Sequence, residues 1–249
     1  MVGGALPGPL ARALDEVGVS AERVRSLPRP GGEPLWVVPI EPLVSEEAWK
    51  GLRDRARETG HWPVLTRDVA QDLDDAAEPV AAVLARANAI EPAAWFRARR
   101  ASDPEYYDGV ERGTWDDALG AYEGGRFTVV DDPGPHDGPL ELLLVPTNDP
   151  AEVFAHLDWG GWNECPLPEE HVALHRAWHA RYGAELVTLS RDVVEMVVLR
   201  PPRGEAACME LADEQFLYTG GDLVYQGTEE LARLAHGLDS ARTWFFWWD

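Results

Sequence analysis

Apolar positions fall in short separated runs along the chain, some with the spacing of strands and others with that of helices. Leu35-Trp36-Val37-Val38-Pro39-Ile40 is a continuous apolar run of strand length. Ser45 is placed to cap a helix over 46–58, with Glu46 and Glu47 in a first turn where the helix dipole favours acids. Gly60 ends it, and Trp62-Pro63-Val64-Leu65 forms a second strand, so the stretch reads as a βαβ unit with a parallel pair. Before it, 1–30 mixes short helical runs at 11–17 and 21–26 with Pro and Gly. After it, helices are expected over 79–89 and 92–100. Residues 103–125 are polar and turn-rich, with a short helical stretch around 115–122.

The run Asp131-Asp132-Pro133-Gly134-Pro135-His136-Asp137-Gly138 reads as a linker, and the signals sharpen beyond it. A strand is expected over 140–145. Asp149-Pro150-Ala151-Glu152 then spells an N-cap, a proline at the first helical position and an acid at the third. Pro168, Glu169 and Glu170 open a longer helix that Gly183 closes. Strands over 185–189 and 193–199 flank Ser190-Arg191-Asp192 as a hairpin, a helix runs over 205–218, and Thr228 caps a last helix that ends at His236-Gly237. The final run is Thr243-Trp244-Phe245-Phe246-Trp247-Trp248-Asp249. In a strand, Trp244, Phe246 and Trp248 face one way and Phe245 and Trp247 the other, so both faces need cover.

These elements predict an α+β protein. Residues 139–249 read β, α, α, β, β, α, α, β, like a β-α-β-β-α-β half-sandwich with each crossover doubled: a mainly antiparallel sheet with helices on one face. Residues 1–130 form a smaller βαβ-containing unit packed against it.

Composition supports a core and narrows the partners. The chain has 249 residues, 45% of them hydrophobic. Its formal charge is −22, of which −14 falls on residues 126–249. Nucleic-acid binding needs cations against phosphates and is excluded on that ground. An acidic surface reads first as solvated charge that keeps the protein soluble, with a basic protein partner, drawn by complementary charge, as the alternative. Lys50 is the only lysine beside many arginines, the bias of a high-GC bacterium. No secretory leader and no membrane-length apolar run is expected, and the two cysteines, Cys165 and Cys208, fit free thiols in a cytoplasmic protein.

Three places could carry chemistry. His171, His175 and His179 recur at four-residue spacing on one face of the helix after Pro168, the geometry that lets neighbouring imidazoles share a metal. No H-E-x-x-H or paired C-x-x-C accompanies them, so they read instead as boundary histidines with polar tips in water. The loop Trp159-Gly160-Gly161-Trp162-Asn163-Glu164-Cys165-Pro166 leads into that helix. It could wall a small-molecule pocket, or present Cys165 as a nucleophile with a helix histidine as base. The third is Tyr218-Thr219-Gly220-Gly221-Asp222-Leu223-Val224-Tyr225-Gln226-Gly227, whose Asp222 and Gln226 could line a site. Cys208 falls on a core face. The acid pairs Asp74-Asp75 and Asp131-Asp132 read as solvated charge, and Arg97, Arg99 and Arg100 are too small a basic patch for nucleic acid. No phosphate-binding or nucleophile-elbow motif occurs, and no catalytic residue, metal or cofactor is assigned.

The set Trp159-Gly160-Gly161-Trp162-Asn163, Trp178-His179, Arg181-Tyr182-Gly183-Ala184-Glu185, Gln226-Gly227 and Phe246-Trp247-Trp248-Asp249 resembles a bacterial domain of unknown function that is abundant in actinomycetes. The resemblance covers about residues 139–249. It departs at Thr219 to Gly221, where the family pattern tends to carry Cys and Pro, which argues against a thiol role in that loop. It implies the architecture and the bacterial cytoplasmic setting and brings no activity. Two functional readings follow. The leading one is a non-catalytic protein-binding module of immunity or regulatory type. The alternative is a small-molecule- or metal-binding enzyme using the loop from Trp159 to Cys165 and the three helix histidines.

Overall fold

In a computed structural model of the chain, residues 5–29, 32–67, 78–115, 127–132, 134 and 138–249 are described. Asp74-Asp75, nearly all of the 115–122 stretch and part of the 131–138 linker lie outside them.

The first third lays down three strands and the helices between them. α1 (Gly8–Glu16) is followed by a short 3-10 turn and β1 (Arg25–Leu27), where a helical run had been expected over 21–26. Three residues suffice for a strand here because each pairs with β2 (Leu35–Pro39). α2 (Pro42–Asp54) starts a turn earlier than Ser45. Pro42 takes its first position, where its missing N–H costs nothing, and the Ser45 hydroxyl donates back to the Pro42 carbonyl. α3 (Ala56–Thr59) extends it to Gly60, left-handed at φ 71°, and β3 (Trp62–Thr66) follows. α4 (Val80–Ala87), α5 (Pro92–Ser102), α6 (Pro104–Asp108) and α7 (Thr128–Asp131) complete the N-terminal part.

β4 (Glu141–Val145) then enters between β2 and β3, antiparallel to both. The strand–helix–strand stretch therefore has its two strands running the same way, but they are separated by β4 and do not pair with each other. The chain continues through α8 (Val153–Leu157), α9 (Pro168–Tyr182), the hairpin β5 (Ala184–Leu189) and β6 (Val193–Val198), and α10 (Glu205–Tyr218). A π-helical turn (Leu223–Thr228), α11 (Leu231–Leu238) and β7 (Thr243–Trp247) finish it. Thr228 belongs to the π turn, and α11 opens after Glu230.

The expected α+β class holds. Among the described residues one seven-stranded sheet runs β1-β2-β4-β3-β5-β6-β7, and every pairing but β3 with β5 is antiparallel. The N-terminal strands interleave with the C-terminal ones in this sheet, β4 between β2 and β3 and β3 between β4 and β5, where a separate unit packed against a C-terminal sheet had been expected. β3 stands between β4 and β5, and the Trp62 indole reaches across to donate to the Leu186 carbonyl at 3.1 Å.

Trp244, Phe246 and Trp248 are all at most 1% exposed. They pack under α9 and α10: Trp178 stacks on Phe246 with centroids 5.4 Å apart, and Tyr218 meets Phe246 and Trp248 edge-on at 5.0 and 5.2 Å. Rings in such offset and edge-on contacts gain beyond their buried area. The other face of β7 is only partly covered, since Phe245 and Trp247 are half-buried. Full cover of both faces is therefore not what these residues receive.

Two outcomes follow. A fragment spanning 139–249 lacks β3, the strand that joins β4 to the hairpin; it is expected to give no cooperative melt by circular dichroism, whereas the full chain gives one. Phe246→Ala in the full chain is expected to cost about 3–5 kcal/mol in urea unfolding, as for other buried aromatic truncations.

Candidate functional site

The loop between α8 and α9 is a tight backbone knot. Gly160 (φ 119°) and Gly161 (φ 86°) turn the chain, Asn163 takes a left-handed φ of 44°, and Gly161 N–H donates to the Pro166 carbonyl. A Cβ on Gly160 would collide with that carbonyl and stand 2.8 and 2.9 Å from His171 Cδ2 and Nε2. Only glycine permits both the conformation and the close approach. The knot seats the Trp159 ring among Phe154, Trp162, His171 and Trp248, with its indole donating to the Ser190 carbonyl at 2.9 Å.

Beneath the knot lies a sealed polar chain. Cys165 Sγ is 3.4 Å from His171 Nε2; His171 Nδ1 is 2.6 Å from the Tyr218 hydroxyl; and His175 Nε2 approaches the same hydroxyl at 2.7 Å. Tyr218 has one proton to give, so one imidazole donates to its oxygen and the other accepts from it. Two arrangements satisfy all three contacts. Either protons point from Cys165 through His171 and Tyr218 to His175, or all three bonds run the other way. Both leave each ring neutral and His175 Nδ1 without a partner among the described residues. His171 and Tyr218 are fully buried, His175 is 1% exposed and Cys165 5%.

Burial sets the proton affinities. Desolvation drives His175 down to about 3 and His171 well below the usual imidazole range, the latter helped by His175 beside it. It raises Tyr218 and Cys165 well above their ordinary values. A thiol held neutral is a poor nucleophile, and the histidine beside it is a neutral ring already committed to Tyr218.

The boundary reading of the histidines is thus corrected for two of the three. His171 and His175 are core groups because α10 brings a shared hydroxyl to them. His179 is half-buried and turned to the Ala184 carbonyl at 3.1 Å. The nitrogens converge on an oxygen, and among the described residues no group of three or more His, Cys, Asp or Glu side chains is arranged to hold a metal ion. Cys208 is in the core as expected, and both thiols are free.

A second polar chain lies at the surface and joins three segments far apart in sequence. The Asn163 amide donates to the Asp249 carbonyl, Asp249 N–H donates to Asp222 Oδ2 at 3.1 Å, and Gln226 Nε2 donates to Asp222 Oδ1 at 2.9 Å. Beside it opens a cavity of about 490 Å³ lined by Asp222, Leu223, Gln226, Gly227, Thr228, Leu234, Phe245 and Trp247. Of the residues singled out in the sequence, Asp222 and Gln226 line this cavity. Asn163 joins their hydrogen-bond chain, Trp159 and half-buried Trp162 form the floor of the knot, and Cys165, His171 and His175 lie sealed below. Asp249, Tyr218 and Trp247 were missed as partners, because which loop meets the C-terminal strand is decided by tertiary packing. The π turn offered no apolar period to read, and π-helical segments often mark functional places. Two of the three patch arginines are spent on internal contacts: Arg99 donates to the Glu164 carbonyl at 2.7 Å, and Arg100 Nη2 donates to both carboxylate oxygens of Asp213 at 2.7 Å, while Arg97 stays exposed beside Glu91.

Residues 141–249 match a domain of unknown function, DUF4253. The DUF4253 region holds both polar chains and the cavity, and the motifs Trp159 to Asn163, Arg181 to Glu185 and Phe246 to Asp249 lie inside it. No curated protein and no solved structure matches the chain. Among the described residues no helix is long and apolar enough to cross a membrane.

The neutral histidines make stability acid-sensitive. Above about pH 6.5 they are neutral folded or unfolded; as pH falls from there toward 3, the unfolded chain takes up protons that the folded core refuses. Each histidine is expected to remove about 1.4 kcal/mol per pH unit in that window, and His175→Phe to flatten the slope of urea-unfolding free energy against pH. Gly160→Ala is expected to cost about 2 kcal/mol or more at pH 7 in the same assay, since it adds both strain and overlap.

Proposed function

We propose that the chain is a non-catalytic binding module that recognises a basic protein partner through the surface at the cavity. What carries this reading is the division between sealed and open groups in the DUF4253 region. The thiol and imidazoles that could do covalent or acid–base work are buried, neutral and mutually bonded. The groups from separate segments that converge at the surface, Asp222, Gln226 and Trp247, line an open cavity instead. An aromatic ring, an acid and an amide around a concavity make a recognition surface rather than a catalytic one. The net charge of −22 supplies attraction for a cationic partner in the reducing, cytoplasmic setting we propose for the chain.

A small-molecule reading has one observation in its favour, the size of the cavity, which falls within the range of ligand pockets. The two readings separate by experiment. Immobilised full-length protein is expected to retain a basic protein from its source cell at low ionic strength and to release it at about 0.5 M salt, with Trp247→Ala retaining much less. Retention that Trp247→Ala leaves unchanged contradicts the surface assigned here. A metabolite that raises the melting temperature by several degrees, with no protein retained, favours the small-molecule reading.

A further inference from the structure

β7 ends the sheet, and its pairing with β6 fixes which of its backbone groups are spoken for. Val198 N–H donates to the Arg242 carbonyl, and Trp248 N–H donates to the Asp192 carbonyl. With the register Val194 to Phe246 and Met196 to Trp244, the residues facing β6 are 242, 244, 246 and 248. Thr243, Phe245 and Trp247 therefore turn N–H and C=O outward, and among the described residues these groups have no hydrogen-bond partner.

The opposite edge of the sheet is blunted in the usual way. β1 has three residues and carries the guanidinium of Arg25, ion-paired with Glu141. β7 has five residues and, between Thr243 and Trp247, no charge, no proline and no bulge. Two of its outward-bonding residues, Phe245 and Trp247, also line the cavity, with Leu223 and Leu234 as its apolar wall. Among the described residues Asp222 is the one charged liner, and it is an acid. Free main-chain groups beside a side-chain pocket are the two parts that strand addition needs, one for affinity and one for selection.

We propose that an extended basic segment of the partner adds to β7 as an eighth strand, pairing its backbone with Phe245 and Trp247 and placing one side chain in the cavity. This rests on the protein-recognition reading and specifies its mode. Charge chooses the occupant: a second copy brings another −22 to the same edge, whereas a cationic segment is attracted to it.

The test uses the full chain and defined probes: a blocked heptapeptide of alternating Lys and Val, its Glu/Val counterpart, and two Lys/Val forms N-methylated at either the odd or the even residues. Amide exchange by NMR gives the readout. The Lys/Val peptide is expected to slow exchange at Phe245 and Trp247 by about tenfold or more while leaving Phe246 unchanged, and the Glu/Val peptide to bind about tenfold more weakly. One N-methylated form is expected to lose about tenfold or more in affinity and the other to keep it, because a strand pairs through alternate residues. Equal binding by both N-methylated forms would show side-chain docking without strand pairing; it would overturn the inference and leave protein recognition standing. Slowed exchange that rises with protein concentration in the absence of peptide would make the occupant a second copy and also overturn it. No effect of any peptide on the two amides rejects the added strand, and retention of a basic protein then decides the broader reading on its own.

Discussion

The sheet is held together across a single parallel seam, β3 against β5. On one side lie β1, β2 and β4, and on the other β6 and β7. Parallel pairing is slightly weaker per residue than antiparallel, and here it is reinforced from the side. The Trp62 indole crosses it to Leu186, and Trp49 packs edge-on against Trp62 while donating to the Pro63 carbonyl at 2.9 Å. Arg53 on α2 reaches Glu185 on β5 at 2.7 Å. The hairpin, α9, α10 and the aromatic face of β7 all hang on the far side of this seam. The knot, the buried polar chain and the cavity therefore depend on residues outside the matched span 141–249.

Where local rules govern, the sequence was readable. Pro168 with two acids after it, and Gly183 at the other end, bound α9 to the residue, and the hairpin around Ser190 to Asp192 formed as its apolar runs required. Where the outcome was tertiary, it was not. Nothing local says that β4 inserts between β2 and β3, because that order is set by which apolar strands meet after the 131–138 linker. Nor does the histidine spacing disclose its use: the same i, i+4 geometry that suits a metal serves to grip the hydroxyl of Tyr218, more than forty residues away. The cover that the terminal aromatics require is complete on the Trp244, Phe246 and Trp248 face and only partial on the other.

The candidate site shows the same division. Asp222 and Gln226 stood out for their chemistry in a glycine-rich turn, and they do line the cavity. Their partner Asp249 looked like an exposed end. Its role comes from the final strand running alongside the π turn, which brings its N–H to Asp222 and its carbonyl to Asn163.

The open edge of β7 has a consequence for how the protein behaves as a colloid. A strand edge without partners among the described residues is a seam for self-assembly, and the common negative charge of two copies opposes it. That charge disappears near the isoelectric point, about pH 4.6, which lies inside the interval where the buried imidazoles withdraw stability. Mild acid thus removes the electrostatic shield and loosens the core over the same range, so storage and purification near neutrality keep the protein folded and dispersed while acid favours sheet-to-sheet precipitation.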